Sequence, residues 1–272
     1  MPYQLNLTQS NVDFIKTYCA EQIYALEQFL PIVNEFVNRG AIKDGIAFGG
    51  GTALTMYYLA HRRSFDIDLF VDDRQYLSFF SPKLWILENS KFNDSYTELA
   101  HHIGFSTKEN IKIDILASPF IEKALLDDTR YFFSQSVYIH SIEDIIANKI
   151  RFRKLDNKTR DIFDIVASIQ KYPNLIDNLL EKESINKNDI KDLKTAIQTL
   201  NYEKYHNDIK MMQPVQEYKE IALNAPKILI DYIDTHILKT TTIPLQTSSK
   251  KPKIPSHKVS CDSTPQNLTQ KN

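Results

Sequence analysis

Asp66, Asp68 and Asp114 are the residues whose types and spacing point most directly to chemistry. Asp66 and Asp68 alternate with Ile67 and Leu69, so on an extended strand both carboxylates face one side and the apolar side chains the other. Two neighbouring carboxylates repel each other and gain nothing from packing, so a cation is the natural reason to place them together. Mg2+ prefers oxygen ligands and often shares them between carboxylates and phosphates. Asp114 lies in a second alternating run, Ile111-Lys-Ile-Asp-Ile-Leu-Ala117, on the side away from the isoleucine row. Taken alone, it reads as the solvent-side member of that alternation. Against a neighbouring Asp66–Asp68 pair it becomes the third ligand of a metal cluster.

The stretch before these acids supplies the other half of a nucleotide site. Ile46 to Phe48 read as a short buried strand, followed by the turn Gly49-Gly50-Gly51 and by Thr52, which is placed to cap an apolar helix, Ala53 to Ala60. Backbone N–H groups in such a turn, with the positive end of the next helix, attract phosphate. Arg62-x-Ser64-x-Asp66-x-Asp68 then leads into a strand read as Phe65 to Val71. The plainer alternative is a tight strand-to-helix turn followed by an edge strand with solvated acids. A glycine turn or an Asp-x-Asp alone is weak evidence; the combination is much more specific.

The remaining pattern shows what positions these groups. Before the turn, apolar spacing from Val12 to Cys19 and from Ile23 to Leu30 predicts a helical layer with a cap at Ser10 or Asn11. A break or kink is expected at Pro31, then a further piece from Ile32 to Val37 that stops at Gly40. Asp72 and Asp73 read as turn and cap residues. Leu99–Thr107 and Ile111–Ala117 form a hairpin, and Tyr138–His140 one more short strand. A helix from Ile142 to about Arg153 carries Lys149, Arg151 and Arg153, a run usually found on a solvated face. Arg160 and Asp164, four apart, suit a surface ion pair, which leaves Asp161 unexplained. From Pro173 to about Leu238 the pattern is helical, with breaks near Asn186 and Pro214.

Composition excludes several classes. With 272 residues, 42% hydrophobic and 25% charged, the chain is that of an ordinary globular protein. No apolar run has the length of a membrane span, and the first residues lack a signal peptide's basic start and apolar core. The two cysteines, Cys19 and Cys261, do not make a disulfide framework, so a cytoplasmic location is expected. Residues 239–272 hold six lysines against one aspartate, with four prolines and eleven Ser/Thr, and are expected to be a disordered basic tail. The rest of the chain has 27 basic and 33 acidic residues, so bulk charge does not advertise nucleic-acid binding.

The turn at 49–52, the Arg62-x-Ser64-x-Asp66-x-Asp68 run and Asp114 together resemble the polymerase-beta-like nucleotidyltransferase superfamily. Lys149 on a helix followed by Arg160-Asp161-x-x-Asp164 narrows the resemblance to the AbiEii/AbiGii toxin family, the nucleotidyltransferase partner in bacterial type IV toxin–antitoxin systems. The resemblance spans about residues 40–170. It implies an α+β fold: a small mixed sheet flanked by helices, then a helical C-terminal region. The division would be a nucleotidyltransferase domain with N-terminal helices over 1–140, a helical domain over 141–238 and the tail over 239–272.

The resemblance also implies that Asp66 and Asp68 bind the metals, that Lys149 and Asp161 are required, and that Ser64 lies at the active site. On this reading two Mg2+ ions sit among Asp66, Asp68 and Asp114. Arg62 and Lys149 neutralise the triphosphate of an NTP, with Ser64, Thr52 and the Gly49–Gly51 turn as its cradle. Asp161 orients Lys149 or the substrate. Relatives transfer nucleotides, in some cases onto tRNA, which makes an RNA acceptor and a cognate antitoxin the expected partners, with no membrane. A small-molecule or protein acceptor, or a catalytically silent binding module on the same scaffold, are the alternatives. The acidic body departs from what an RNA-modifying enzyme would show, and bears on the acceptor more than on the chemistry.

Overall fold

The computed structural model describes residues 3–38, 43–86, 89–153 and 158–237. Seven strands form one mixed sheet: β1 Ile46–Gly49, β2 Ile67–Val71, β3 Thr97–Leu99, β4 His102–Ser106, β5 Lys112–Ala117, β6 Leu125–Asp127 and β7 Val137–Ile139. Their order is β3-β4-β5-β2-β1-β7-β6. Two of the pairings set the site. β2 runs antiparallel to β1 with Asp68 opposite Gly49, and parallel to β5 with Asp68 opposite Asp114. The expected hairpin is the antiparallel pair β4–β5.

Nine α-helices are described: α1 Gln9–Tyr18, α2 Ala20–Asn38, α3 Gly50–Ala53, α4 Ile142–Arg153, α5 Thr159–Lys171, α6 Leu175–Glu181, α7 Lys187–Gln198, α8 Tyr202–Met211 and α9 Lys219–Tyr232. Helix α2 runs straight through Pro31, where a break was expected. Pro31 is exposed, while Leu26, Phe29, Leu30, Val33 and Phe36 on both sides of it are buried. Packing of that continuous stripe outweighs one lost backbone hydrogen bond. Phe29 and Trp85 each come within 5.0–5.7 Å of Phe105, Phe92 or one another, locking α2 onto β4.

Two further expectations are corrected. Strand β2 begins at Ile67 rather than Phe65, because its partner β1 ends at Gly49 opposite Asp68 and offers no backbone beyond it. The apolar helix starts at Gly50, so Thr52 lies inside it instead of capping it, and it continues as a π-helical turn, Leu54–Leu59, closed by Ala60 at φ 52°. Strand β6 was not foreseen; helix α8 falls in the stretch read as helical and buries only Tyr205 and Ile209. Asn186 caps α7 in a reciprocal capping box with Asp189. Gly40 and the tail 239–272 lie outside the described residues. Among the described residues, no helix is long and apolar enough to cross a membrane.

Helix α5 is buried nearly all round: Ile162, Phe163, Ile165 and Val166 share that burial with Asp161, Asp164 and Ser168. A buried polar stripe of this kind must find partners inside the protein. Those partners come from the segment after the glycine turn and from α4.

Candidate active site

The turn that ends β1 is shaped around the acids. Gly50 has φ +65°, and a Cβ there would lie 1.9 Å from Asp68 Oδ2, so only glycine fits both the backbone and the space. A Cβ on Gly51 would lie 2.6 Å from Arg62 Nη2 and 3.2 Å from Ser64 Oγ. The Thr52 hydroxyl is shared between Ser64 Oγ, at 2.8 Å, and the Asp66 carbonyl. Turn, serine and first aspartate are thereby tied into one unit, although 12 to 14 residues separate them.

Register places the acids. Asp68 and Asp114 are partners on adjacent parallel strands and so project to the same face. Two residues on, Phe70 and Leu116 line the cavity on that face, together with Asp66 and Asp68. Gly104 lies opposite Asp114 on β4 and leaves its carboxylate room. Burial, and then Asp114 and Asp66, push the Asp68 carboxyl above the usual range, with Lys149 and Arg160 opposing.

Among the described residues, no three His, Cys, Asp or Glu side chains are gathered closely enough to hold an ion as they stand. Asp66 turns to Arg160 (3.4 Å), and Asp114 to Lys112 Nζ (2.6 Å) and His102 Nε2 (2.7 Å). The donor set itself fits Mg2+: carboxylate oxygens on one face of a sheet, mutually repelling and beside backbone amides.

Beneath the cavity lies a buried ion network. Asp164 accepts from Arg62 Nε (2.6 Å) and Nη2 (2.8 Å), from Lys149 Nζ (2.9 Å), and lies 2.7 Å from His61 Nε2. Asp161 accepts from Lys149 Nζ (2.7 Å) and Arg153 Nη1 (2.8 Å). Burial would raise both carboxyls, but Arg62 and Lys149 hold Asp164 well below the usual range, and Lys149 and Arg153 lower Asp161. Burial lowers His61 despite Asp164, so its imidazole stays neutral. Three cations therefore stand against two carboxylates, and the balance beneath the glycine turn is positive.

This network corrects two expectations. Asp164 does not form a surface pair with Arg160; it points into the core to Arg62, and Arg160 reaches Asp66 instead. Arg62 is 2% exposed and does not line the cavity, because its guanidinium is committed to Asp164 and the Arg63 carbonyl. Lys149 is buried yet does line the cavity, as do Gly50, Gly51 and Ser64. Gly49, Thr52, Asp114 and Asp161 do not line it. Sequence reasoning missed His61, Asp164 and Arg153 as members of the network. The available signal was three polar residues, Asp161, Asp164 and Ser168, spaced i, i+3, i+7 among the apolar residues Ile162, Phe163, Ile165 and Val166.

The cavity over the acids has a volume of about 320 Å³. Its floor combines the glycine turn with Asp66 and Asp68, and its cationic rim is Lys149, Arg153 and Arg160. The arrangement suits a polyphosphate held between the cations and the carboxylates. A family model described as nucleotidyl transferase AbiEii toxin, type IV TA system, matches residues 35–228. The chain belongs to the AbiEii nucleotidyl transferase toxin family. It is a nucleotidyltransferase, and the glycine turn, the three acids and the α4–α5 network all fall within the matched residues.

Solved structures similar to this AbiEii member include the following two. JHP933 from Helicobacter pylori is 18% identical, with 84% of this chain and 95% of that one covered and a TM-score of 0.40. MenT4, a nucleotidyltransferase toxin from Mycobacterium tuberculosis H37Rv, is 12% identical, with 82% and 99% covered and a TM-score of 0.38. No curated protein matches the chain.

Proposed function

We propose that this AbiEii member is a Mg2+-dependent enzyme that transfers a nucleotide from an NTP to an RNA acceptor, tRNA included, and that this transfer is its toxic activity, restrained by a cognate antitoxin. The observation that carries the reading is Asp68 in register with Asp114 beside a Gly50 that no other residue can replace. In the reaction an acceptor hydroxyl oxygen bonds to the α-phosphorus, the bond to the pyrophosphate oxygen breaks, and the hydroxyl proton is released. Two Mg2+ ions bound by Asp66, Asp68 and Asp114 would supply the charge that stabilises attacking and leaving oxygens.

The chain's own residues do the remaining work. The amides of Gly50 and Gly51, with Ser64 Oγ, are donors to the phosphates. Lys149 faces them from α4, held in place by Asp161 and Asp164. Arg62 acts at one remove, fixing Asp164 from below and adding to the positive field. Positioning and electrostatics of this kind account for most of the catalysis in phosphoryl-type transfer.

The test is a panel of four α-labelled NTPs incubated with total cell RNA, protein and metabolite pools. Label is expected on RNA, with Mg2+ required, and Asp66→Asn should stop it. Label on protein or on a small molecule instead would favour the second reading, which the excess of acids over bases in residues 1–238 supports.

A further inference from the structure

Half of the cavity is not used by the phosphate chemistry. Asp66, just before β2, and Asp68 and Phe70 on it line the cavity in turn; along the parallel β5, Asp114 pairs with Asp68, and Leu116 and then Ser118 line the cavity, the Ser118 N–H continuing the pairing to the Val71 carbonyl at 2.9 Å. Residues two apart on a strand lie roughly 6–7 Å apart. Both strands point the same way, so both rows change from carboxylate to apolar in the same direction, about one ring's length from the acids.

Helix α4 forms the opposite wall. Ile145, Asn148, Lys149 and Phe152 line the cavity at spacing i, i+3, i+4, i+7, one face of the helix. Lys149 serves the acid end, while Phe152, a ring 64% exposed, stands at the rim. Between the apolar walls sits one amide. Asn148 Oδ1 accepts from Ser118 Oγ at 3.4 Å, whereas its Nδ2 is buried with no partner. A buried donor left without an acceptor costs free energy, which an arriving acceptor recovers. A largely apolar slot with Asn148 on its edge, and Ser118 and His101 also in its lining, matches a nucleobase, flat on its faces and polar at its rim.

We infer that the apolar end of this cavity is the subsite for the base of the incoming nucleoside triphosphate, and that Asn148, backed by Ser118, selects the base by donating from Nδ2 to an acceptor on its edge. The inference rests on the nucleotidyl transfer proposed above, with the triphosphate at the acid end. Phe152 covers one face of whichever base enters and adds affinity without adding selectivity.

The test uses the full chain and each of the four α-labelled NTPs with total cell RNA, alongside the melting temperature with each unlabelled NTP and Mg2+. Wild type should favour one NTP. Asn148→Ala should narrow that preference by about tenfold to a hundredfold. Asn148→Asp, which replaces a donor by an acceptor, should move the preference toward bases with an amino edge. Phe152→Ala, a change at an exposed ring, should weaken all four NTPs by about tenfold or more and keep their order. Relative rates unchanged in both Asn148 variants would overturn the inference, as would unchanged NTP affinity in Phe152→Ala. Wild-type protein that transfers no label and shows no melting shift with any NTP would instead overturn the transfer reading.

Discussion

Asp164 and Arg62, 102 residues apart in sequence, meet in the core as a two-point ion pair, Nε to Oδ1 at 2.6 Å and Nη2 to Oδ2 at 2.8 Å. The pair joins the loop that carries Ser64 and Asp66 to the helix that faces Lys149. With Lys149 on the same carboxylate at 2.9 Å, one aspartate fixes both sides of the cavity relative to each other.

Removing that aspartate leaves buried Arg62 without its carboxylate partner and Lys149 with Asp161 alone. Asp164→Ala should therefore destabilise the fold by about 3–5 kcal/mol, read from urea unfolding. Asp164→Asn keeps the shape but turns an amide N–H₂ toward a cation, and should both lower stability and reduce transfer. An Asp164→Ala variant as stable as wild type would show that the network does not hold the two halves together.

At Gly50 the effect should fall on activity. Gly50→Ala forces a side chain to within 1.9 Å of Asp68 Oδ2 at a positive φ, so Asp68 must move. A displacement of about 1 Å in a reacting geometry costs on the order of a hundredfold in rate, and Gly50→Ala should lose at least that much label transfer. Transfer at the wild-type rate would mean that Asp68 need not sit where Gly50 admits it.

The sequence makes the face that carries the acids legible because strands have a period of two. Asp66-x-Asp68 and the Ile111–Ala117 alternation fix which side each acid takes, and two such rows can share a face whenever their strands pair. It does not make Asp164 legible. Arg160 at i−4 offers a local partner, and nothing local says that Arg62 outcompetes it from 102 residues away. Pro31 and Thr52 fail for the same reason, since local preferences for breaking or capping a helix yield to a buried stripe in one case and to Ser64 and Asp66 in the other. Asn148 gave no signal at all, because its unpartnered amide is visible only once Ser118 is placed beside it.

Stability should fall with acidity in a defined window. His140 is fully buried, stacked on Phe70 and edge-on to Phe120, and burial lowers it to about 4, Asp144 opposing. The unfolded chain binds a proton there near pH 6.5. A folded pKa below the unfolded one means that stability is full above about 6.5 and is lost as pH falls toward 4. Between pH 7 and pH 5 this one residue should cost about 2 kcal/mol, which His140→Phe should abolish in urea unfolding at the two pH values. His61, also lowered, adds to the same loss, and Asp161 and Asp164 extend it below the normal carboxylate range. Equal pH dependence in wild type and His140→Phe would contradict a neutral buried imidazole.

In the proposed reaction Asp66, Asp68 and Asp114 act as one metal-binding set for an NTP. The direct measurement is label transfer from α-labelled NTP to RNA by wild type, Asp68→Asn and Asp114→Asn, with Mg2+ or EDTA, beside the melting temperature of each in EDTA. Wild type should transfer only with Mg2+, and each variant should fall by at least about a hundredfold. Asp68→Asn should melt no lower than wild type, because it removes repulsion from Asp114 and Asp66. Either variant transferring label at the wild-type rate would contradict the account.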